Sequence, residues 1–139
     1  MKQGRVLASG LLAEKVFVPT LEAERAGVHL IIDLWGARAL DDLAAVESAL
    51  RRAVDAAGAT LLHVHLHHFS ATGGISGVAV LAESHISIHT WPERDYAALD
   101  VFMCGDSDPR LTLPVLAEVF QPARTVVQTY LRGAPGADG

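Results

Sequence analysis

The histidines of this sequence could do chemistry and are clustered, since six of the seven lie between His63 and His89. His63, His65 and His67 alternate with apolar residues, so a strand would carry all three on one face. Imidazole is a common zinc ligand, but residues two apart on one strand face are about 7 Å apart, too far to converge on one ion without a bend. We therefore expect no metal, and interpret these histidines as polar residues on a half-buried interface face.

A serine and a thiol form the second group of candidate residues. Ser84 follows Glu83, His89 lies five positions further on, and Cys104 is the single cysteine of the chain. Histidine can serve as the base for a serine or a cysteine nucleophile. However, no Gly-x-Ser-x-Gly turn surrounds Ser84 and no acidic residue is obviously placed to orient His89, so a conventional hydrolase is poorly supported. Taken singly, each residue also fits a purely structural role.

The composition limits the classes of protein in which these residues could act. The chain has 139 residues, 50% of them apolar, which predicts a single domain with one core. Its net charge of -5 argues against a nucleic-acid partner, and one cysteine is typical of a reducing compartment. The apolar runs near the N-terminus are too short for a secretory or membrane-spanning segment. We therefore predict a cytoplasmic protein without membrane contact.

Apolar periodicity predicts the elements that position these residues. Between Leu43 and Val54 apolar side chains recur at three and four residues, which predicts an amphipathic helix with Asp41 as its N-cap and Gly58 as its C-terminal cap. Further elements are predicted from their patterns and flanking turn residues: a helix over Leu113 to Phe120 with Thr112 as N-cap, and strands over Val28 to Trp35, residues 59 to 69, Val78 to Ala82, His85 to Thr90, Ala97 to Met103 and Thr125 to Leu131.

The order of these elements is β-α-β-β-β-β-α-β, and the short links between the central strands allow only antiparallel neighbours. This predicts an α+β two-layer sandwich with a mainly antiparallel sheet and two helices on one face. Leu62, Val64 and Leu66 would point toward the helices. The histidines would then lie on a free face, which two copies could stack to form a homodimer.

Three segments fall outside this regular pattern. Residues 1 to 26 show no sustained period and are predicted to form an irregular arm. Residues 70 to 77 are predicted to form a flexible connection, and residues 133 to 139 a disordered tail. Residues 27 to 131, which include the connection at 70 to 77, are the predicted core segment of the protein.

Two stretches carry a resemblance to a known family: Gly-Ile-Ser-Gly-Val-Ala-Val-Leu-Ala-Glu-Ser-His-Ile-Ser-Ile-His-Thr-Trp-Pro-Glu at residues 74 to 93, and Tyr-Ala-Ala-Leu-Asp-Val-Phe-Met-Cys-Gly at residues 96 to 105. They resemble the prokaryotic S-adenosylmethionine decarboxylase proenzyme family over roughly residues 27 to 131. The run Glu-Ser-His-x-x-x-His-Thr-Trp-Pro-Glu is highly specific to that family. Its members cut their own backbone before a serine, which implies cleavage between Glu83 and Ser84 into a β chain of residues 1–83 and an α chain of residues 84–139.

The resemblance also implies how the processed protein works. Ser84 becomes a pyruvoyl group, whose ketone forms a Schiff base with the substrate amine and withdraws electrons as carbon dioxide leaves. Neither a metal nor pyridoxal phosphate is then needed. His89 is the proton acceptor in processing, Ser76 assists it, and Cys104 is the proton donor in decarboxylation.

The substrate implied by the resemblance is S-adenosylmethionine, which would be converted to decarboxylated S-adenosylmethionine, the aminopropyl donor of spermidine biosynthesis. Phe69 and Trp91 match aromatic positions that contact the adenine, since flat apolar faces suit a purine. Glu93 matches the carboxylate that accepts hydrogen bonds from the ribose hydroxyls. His85 is expected to line the same site.

Two departures from the family pattern keep alternatives open. The loop Ser-Ala-Thr-Gly-Gly at residues 70 to 74 lacks the usual proline and has an extra residue, and Met103 stands where threonine is common. One alternative is therefore a pyruvoyl-dependent decarboxylase of arginine or ornithine on the same scaffold. The other is a non-catalytic, histidine-rich binding module that stays uncut.

Overall fold

Residues 5–8 and 24–135 are described by a computed structural model of the chain. They form seven strands and two helices, joined in places by short 3₁₀ turns at Pro92–Arg94 and Pro109–Leu111. In chain order these elements are β1 (Arg5–Ala8), β2 (Gly27–Trp35), α1 (Leu43–Ala57), β3 (Leu61–His68), β4 (Ile75–Leu81), β5 (Ser84–Trp91), β6 (Tyr96–Met103), α2 (Thr112–Phe120) and β7 (Arg124–Arg132).

All seven strands belong to one sheet in the order β1-β7-β2-β6-β5-β4-β3, and every neighbouring pair is antiparallel. Successive side chains of a strand point to opposite faces, and one face packs against both helices. On that face Leu30, Ile32, Ile86 and Ile88 are fully buried, and Phe120 of α2 packs into the same core. The predicted α+β two-layer sandwich is confirmed, and its other sheet face is left without helices.

Helix α1 begins and ends at polar and glycine caps. The carboxylate of Asp42 accepts a hydrogen bond from the Ala45 amide at 3.0 Å, so the N-cap is Asp42 and the prediction of Asp41 is wrong by one residue. Both aspartates can cap a helix, and only the extended backbone of Asp42, with φ -100°, decides between them. Gly58 ends the helix at φ 77°, as predicted.

Helix α2 begins differently from the prediction. Thr112 is its first helical residue rather than its N-cap, because the 3₁₀ turn before it runs directly into the helix. The Thr112 hydroxyl donates to the carbonyl oxygen of Pro109 at 2.7 Å. The capping carboxylate is that of Asp108, which accepts from the amide of Arg110 at the start of the 3₁₀ turn.

Strand β3 shows the alternation that was predicted, apart from one residue. His63, His65 and His67 are exposed, while Val64 and Leu66 pack against the core. Leu62, predicted to face the helices, is instead 63% exposed. A β-bulge between Leu61 and His63 shifts the register there and turns this side chain outward.

Two segments predicted as irregular contain strands. Arg5–Ala8, within the predicted arm, pairs with β7 at the edge of the sheet, where main-chain hydrogen bonds suffice for a strand too short to show a period. Strand β4 begins at Ile75, inside the predicted connection 70 to 77, because the Thr90 hydroxyl fixes the Ile75 amide at 2.9 Å. The rest of the arm up to residue 23, and residues 136–139 of the predicted tail, lie outside the described residues. Neither described helix is long and apolar enough to span a membrane.

Candidate active site

The turn between β4 and β5 consists of Ala82 and Glu83, since Leu81 pairs with Ser84 across the hairpin. Glu83 has a φ of 60°, in the left-handed region that residues with a side chain rarely adopt. Such a backbone stores strain in a residue that is not glycine. The peptide bond between Glu83 and Ser84 therefore lies at a strained point, next to the start of β5.

Cys104 follows the end of β6, which places it beside this turn. Its backbone amide donates to the Oγ of Ser84 at 3.2 Å. Its Sγ donates to the carbonyl oxygen of Glu83 at 2.9 Å. The structure thus brings together Glu83, Ser84 and Cys104, three of the residues selected from the sequence.

This arrangement has one direct chemical consequence. The Ser84 hydroxyl lies next to the carbonyl of its own preceding residue, so attack on that carbon needs no second molecule to be brought in. Negative charge would develop on the carbonyl oxygen of Glu83. The Cys104 thiol, which already donates to that oxygen, is placed to stabilise the charge.

Ser76 and His89 form a second pair, joined by a hydrogen bond of 2.9 Å between Oγ and Nδ1. They are directly opposite each other in β4 and β5, on the sheet face without helices. His89 is five residues along β5 from Ser84, a separation of about 16–17 Å in an extended strand. Within one chain, therefore, the pair Ser76–His89 does not reach the Ser84–Cys104 turn.

The three predicted substrate-binding residues lie at the same end of β5 as His89. Trp91 is the last residue of β5 and is 38% exposed, and Glu93 follows in the 3₁₀ turn, also exposed. Phe69 lies in the loop after β3, is 45% exposed, and touches His67 edge-on at a ring distance of 4.4 Å. These three residues lie near Ser76 and His89. The length of β5 separates all five from the turn at Ser84.

Sequence reasoning missed an aromatic row at this end of the sheet. Trp35, Tyr96 and Trp91 occupy paired positions of β2, β6 and β5, and their rings stack at 4.3 Å and 5.3 Å. The hydroxyl of Tyr96 donates to Asp33. Burial, that hydrogen bond and the charge of Asp33 together raise the pKa of Tyr96 to about 12. The sequence did hold one sign of this row, because each of the three aromatic residues begins or ends a strand and lies on the face without helices.

A polar cluster around Asp100 was also missed. Its carboxylate accepts from His29 Nε2 at 2.6 Å, from His85 Nε2 at 2.7 Å and from the Ser87 hydroxyl. Burial alone would raise the pKa of Asp100, but the hydrogen bonds from Ser87, His29 and His85 outweigh it and lower the pKa below its ordinary value. His85, expected in the substrate site, belongs to this cluster. His29 and Asp100 are far apart in sequence. The only sign in the sequence that they share a sheet face is the alternation of buried and exposed positions along their strands.

Comparison with known proteins shows the family to which the chain belongs. The family model described as S-adenosylmethionine decarboxylase matches residues 28–133, which include both the Ser84 turn and the Ser76–His89 pair. Because this match covers most of the chain, the chain belongs to the S-adenosylmethionine decarboxylase family.

Individual relatives agree with this assignment. The S-adenosylmethionine decarboxylase proenzyme of Thermomicrobium roseum is 49% identical over 108 residues, which are 77% of this chain and 93% of that protein. The proenzyme of Methanococcus maripaludis is 50% identical over 113 residues, 79% of this chain and 92% of that protein. The crystal structure of the adenosylmethionine decarboxylase of Aquifex aeolicus aligns with a TM-score of 0.69 at 32% identity, covering 84% of this chain and 98% of that one.

Proposed function

We propose that this chain is the precursor of a pyruvoyl-dependent decarboxylase that cuts itself between Glu83 and Ser84 and then decarboxylates S-adenosylmethionine. The observation that carries the proposal is the meeting of Ser84, Glu83 and Cys104 at the strained β4–β5 turn. The products would be carbon dioxide and decarboxylated S-adenosylmethionine, an aminopropyl donor for spermidine synthesis. The names of the relatives support the choice of substrate.

The cut begins when the Oγ of Ser84 attacks the carbonyl carbon of Glu83. The hydroxyl proton ends on the Ser84 nitrogen as the peptide C–N bond breaks, and an ester replaces the amide. Removal of the Ser84 α-hydrogen then breaks the bond between Cβ and Oγ and expels the Glu83 carboxylate, leaving a dehydroalanine. One water hydrolyses its imine tautomer, which gives the pyruvoyl group and ammonia.

Three groups serve those steps, one of them supplied by a second copy of the chain. The Cys104 thiol donates to the Glu83 carbonyl oxygen, where charge collects during ring closure. An imidazole is needed to carry the proton, and the hydrogen bond between Ser76 and His89 orients that ring for this task. The left-handed backbone of Glu83 adds strain to the bond that breaks.

The residues around Ser84 also fit the processed state. The pyruvoyl group supplies a ketone that accepts the substrate amine and draws electrons away from the α-carbon as carbon dioxide leaves. Cys104 is beside the position where that group forms, and its thiol holds a proton that can be returned to the α-carbon.

A second copy of the chain completes the proposed site. Ser76, His89, Phe69, Trp91 and Glu93 lie at one end of β5, while Ser84 and Cys104 lie at the other. If two sheet faces without helices stack about a two-fold axis, the end of β5 that carries His89 in one copy can meet the Ser84 end of the other. The exposed indoles of Trp35 and Trp91 on this face favour its burial against a partner.

Substrate binding would then use the exposed aromatic end of the sheet. Phe69 and Trp91 offer flat apolar surfaces for adenine, and the Trp91 ring is kept in place by stacking on Tyr96. The carboxylate of Glu93 is exposed in the 3₁₀ turn next to Trp91 and can accept hydrogen bonds from ribose hydroxyls.

Carbon dioxide release tests the proposed substrate. The processed protein should release labelled carbon dioxide from carboxyl-labelled S-adenosylmethionine and not from arginine or ornithine. Trp91→Ala should raise KM for S-adenosylmethionine about tenfold, since it removes a stacking surface worth roughly 1 kcal/mol or more. Preference for arginine or ornithine would contradict the proposed substrate while leaving the self-cleavage intact.

A further inference from the structure

The carboxylate of Asp100 accepts more side-chain hydrogen bonds than the proposed reaction explains. It lies on β6, on the sheet face without helices, and its side chain is 23% exposed. His29 Nε2 and His85 Nε2 both approach its Oδ2, at 2.6 Å and 2.7 Å, while the Ser87 hydroxyl donates to Oδ1. One carboxylate thus joins three strands, β2, β5 and β6.

The ring of His29 is fixed from its other side. A guanidinium nitrogen of Arg132 lies 2.9 Å from His29 Nδ1. Guanidinium groups only donate hydrogen bonds, so Nδ1 must be the acceptor and the proton of a neutral ring must be on Nε2. That nitrogen then has no lone pair for a metal ion, although His29, His85 and Asp100 place one ligand atom each within 4.8 Å of one another. The cluster is therefore built to hold side chains in place.

Two of the three donors to Asp100 belong to the start of β5. His85 is the residue directly after Ser84, and Ser87 is the third residue after it. Ser87 is also the direct cross-strand partner of Asp100. Asp100 on β6 therefore holds the first residues of β5, which follow Ser84. Cys104 directly follows the end of β6, so the same strand positions both Asp100 and Cys104.

In the uncut chain, the peptide bond to Glu83 holds Ser84 at the tight turn. If the chain is cut there, Ser84 becomes the first residue of a chain, and chain ends lose order unless side chains hold them. We propose that Asp100 is a positioning residue that keeps the new end of β5 in register with Cys104 after the cut. This inference rests on the proposed self-cleavage and adds a requirement to it, because Asp100 is needed chiefly in the cut form.

Hydrogen exchange in the cut and uncut forms tests this role without measuring activity. Asp100→Asn keeps the size of the side chain but removes its charge and one acceptor. In the cut protein, this change should speed amide exchange at residues 85–87 by about tenfold or more, as local opening becomes easier. In the uncut Ser84→Ala protein, the same change should accelerate exchange at these residues at least about threefold less than in the cut protein. Equal acceleration in both forms, or none in the cut form, would overturn the proposal.

Kinetics give the second readout. Loss of alignment between reacting groups lowers kcat, and a displacement of 1 Å can cost about 100-fold. Asp100→Asn should therefore be cut normally, keep KM for S-adenosylmethionine within about threefold and lose about 10- to 100-fold in kcat. Asp108→Asn is the matched control, since Asp108 is another half-buried carboxylate that accepts several hydrogen bonds, here from Arg110. Its kcat should stay within about twofold of the parent.

The outcomes separate this proposal from the proposed function. A parent chain that stays uncut would defeat the proposed function itself. A chain that is cut while Asp100→Asn retains full kcat, or a purified protein with one stoichiometric metal ion in this cluster, would defeat only the role of Asp100. If Asp100→Asn does not fold, Ser87→Ala removes a single donor and should show the same effects in the cut form at smaller size. A folded Ser87→Ala protein with neither faster amide exchange nor lower kcat in the cut form would also overturn the proposal.

Discussion

Ser84 is the residue on which the proposed chemistry depends, because its hydroxyl is next to the Glu83 carbonyl and accepts from the Cys104 amide. We predict that Ser84→Ala yields a folded chain that is never cut, since the attacking oxygen is missing. Intact-mass analysis after prolonged incubation measures this directly. Ser107→Ala is the control, because the Ser107 hydroxyl donates to Gly58 at another place, and this variant should be cut as the parent is. Two fragments from Ser84→Ala would contradict the mechanism.

Cys104 has two separable roles in the account. Cys104→Ala should still be cut, but about tenfold more slowly, because the oxyanion loses one weak donor. Its turnover should fall further, since the proton for the α-carbon is also lost. Cys104→Ser keeps a donor and should be cut at a rate closer to the parent. Unchanged turnover in Cys104→Ala would remove the thiol from the reaction.

Asp100 makes stability depend on pH in a defined direction. Its folded pKa is lowered below the ordinary value, so its contribution to stability is full above the pKa of the unfolded chain, about 3.9. That contribution is lost as the pH falls from about 4 through the folded pKa. In the uncut Ser84→Ala background, Asp100→Asn should therefore destabilise the protein more at pH 7 than at pH 3. Urea unfolding at both pH values checks this, and an equal loss at the two would contradict it.

These residues differ in how far the sequence could identify them. Ser84, His89 and Cys104 stand in a specific motif or are unique in type, so they could be selected without coordinates. Asp100 is a lone acid in an apolar strand, and its partner His29 lies 71 residues away. A contact of that kind depends on the strand order of the sheet, which no local pattern encodes.

At the scale of elements, Gly77 shows why β4 can lie so close to β3. A Cβ at this position would come within 2.2 Å of the His65 carbonyl oxygen and 2.4 Å of a Leu66 methyl group. Gly77→Ala should therefore push the two strands apart and reduce the free energy of unfolding by about 1–3 kcal/mol. The neighbouring Ser76 would shift with β4, so cutting should also slow. A fully stable Gly77→Ala protein in urea unfolding would show that the strands can separate at little cost.

Tyr96 gives a prediction at the junction of β2, β5 and β6. Its pKa is raised to about 12 by burial, by the hydrogen bond to Asp33 and by the Asp33 charge. The stability that this neutral hydroxyl contributes is present below the unfolded pKa of about 10 and lost as the pH rises through 12. Tyr96→Phe should abolish an absorbance step near pH 12 at 295 nm in the folded protein. If the absorbance step near pH 12 persists in Tyr96→Phe, it belongs to another group and the prediction for Tyr96 is contradicted.

The sequence predicted the elements well where a pattern runs over several turns or residues. Helix α1 and the central hairpins followed from periodicity and short links, and both helices lie on one face as expected. Two errors lie at the ends of helices, where neighbouring residues can play the same role. Asp41 and Asp42 are both residue types that cap a helix, and Thr112 can either cap a helix or begin one. Leu62 was misplaced because a bulge breaks the alternation that the sequence alone displays.

For the whole molecule, the proposed function implies that one chain holds two half-sites, at opposite ends of β5. We predict complementation between two inactive variants, Ser84→Ala and His89→Ala. When the two are expressed together, a mixed dimer combines Ser84 of one copy with His89 of the other, so the His89→Ala chain should be cut. Each variant expressed alone should stay uncut or be cut very slowly. Absence of cutting in proven mixed dimers would contradict a site shared between copies.

The pairing of copies was predicted from a free sheet face and stays a prediction, which two features of the structure support. Trp35 and Trp91 are exposed on that face, and Ser84 and His89 lie five residues apart along β5. Neither feature can be recognised before the strands are placed in order.

Mass spectrometry of the purified protein, before and after reduction with borohydride in the presence of S-adenosylmethionine, tests the central claim most directly. We predict two species whose boundary is between Glu83 and Ser84, with a keto group at the start of the second and a substrate adduct on it after reduction. A single species of 14.8 kDa that traps no adduct would contradict the account.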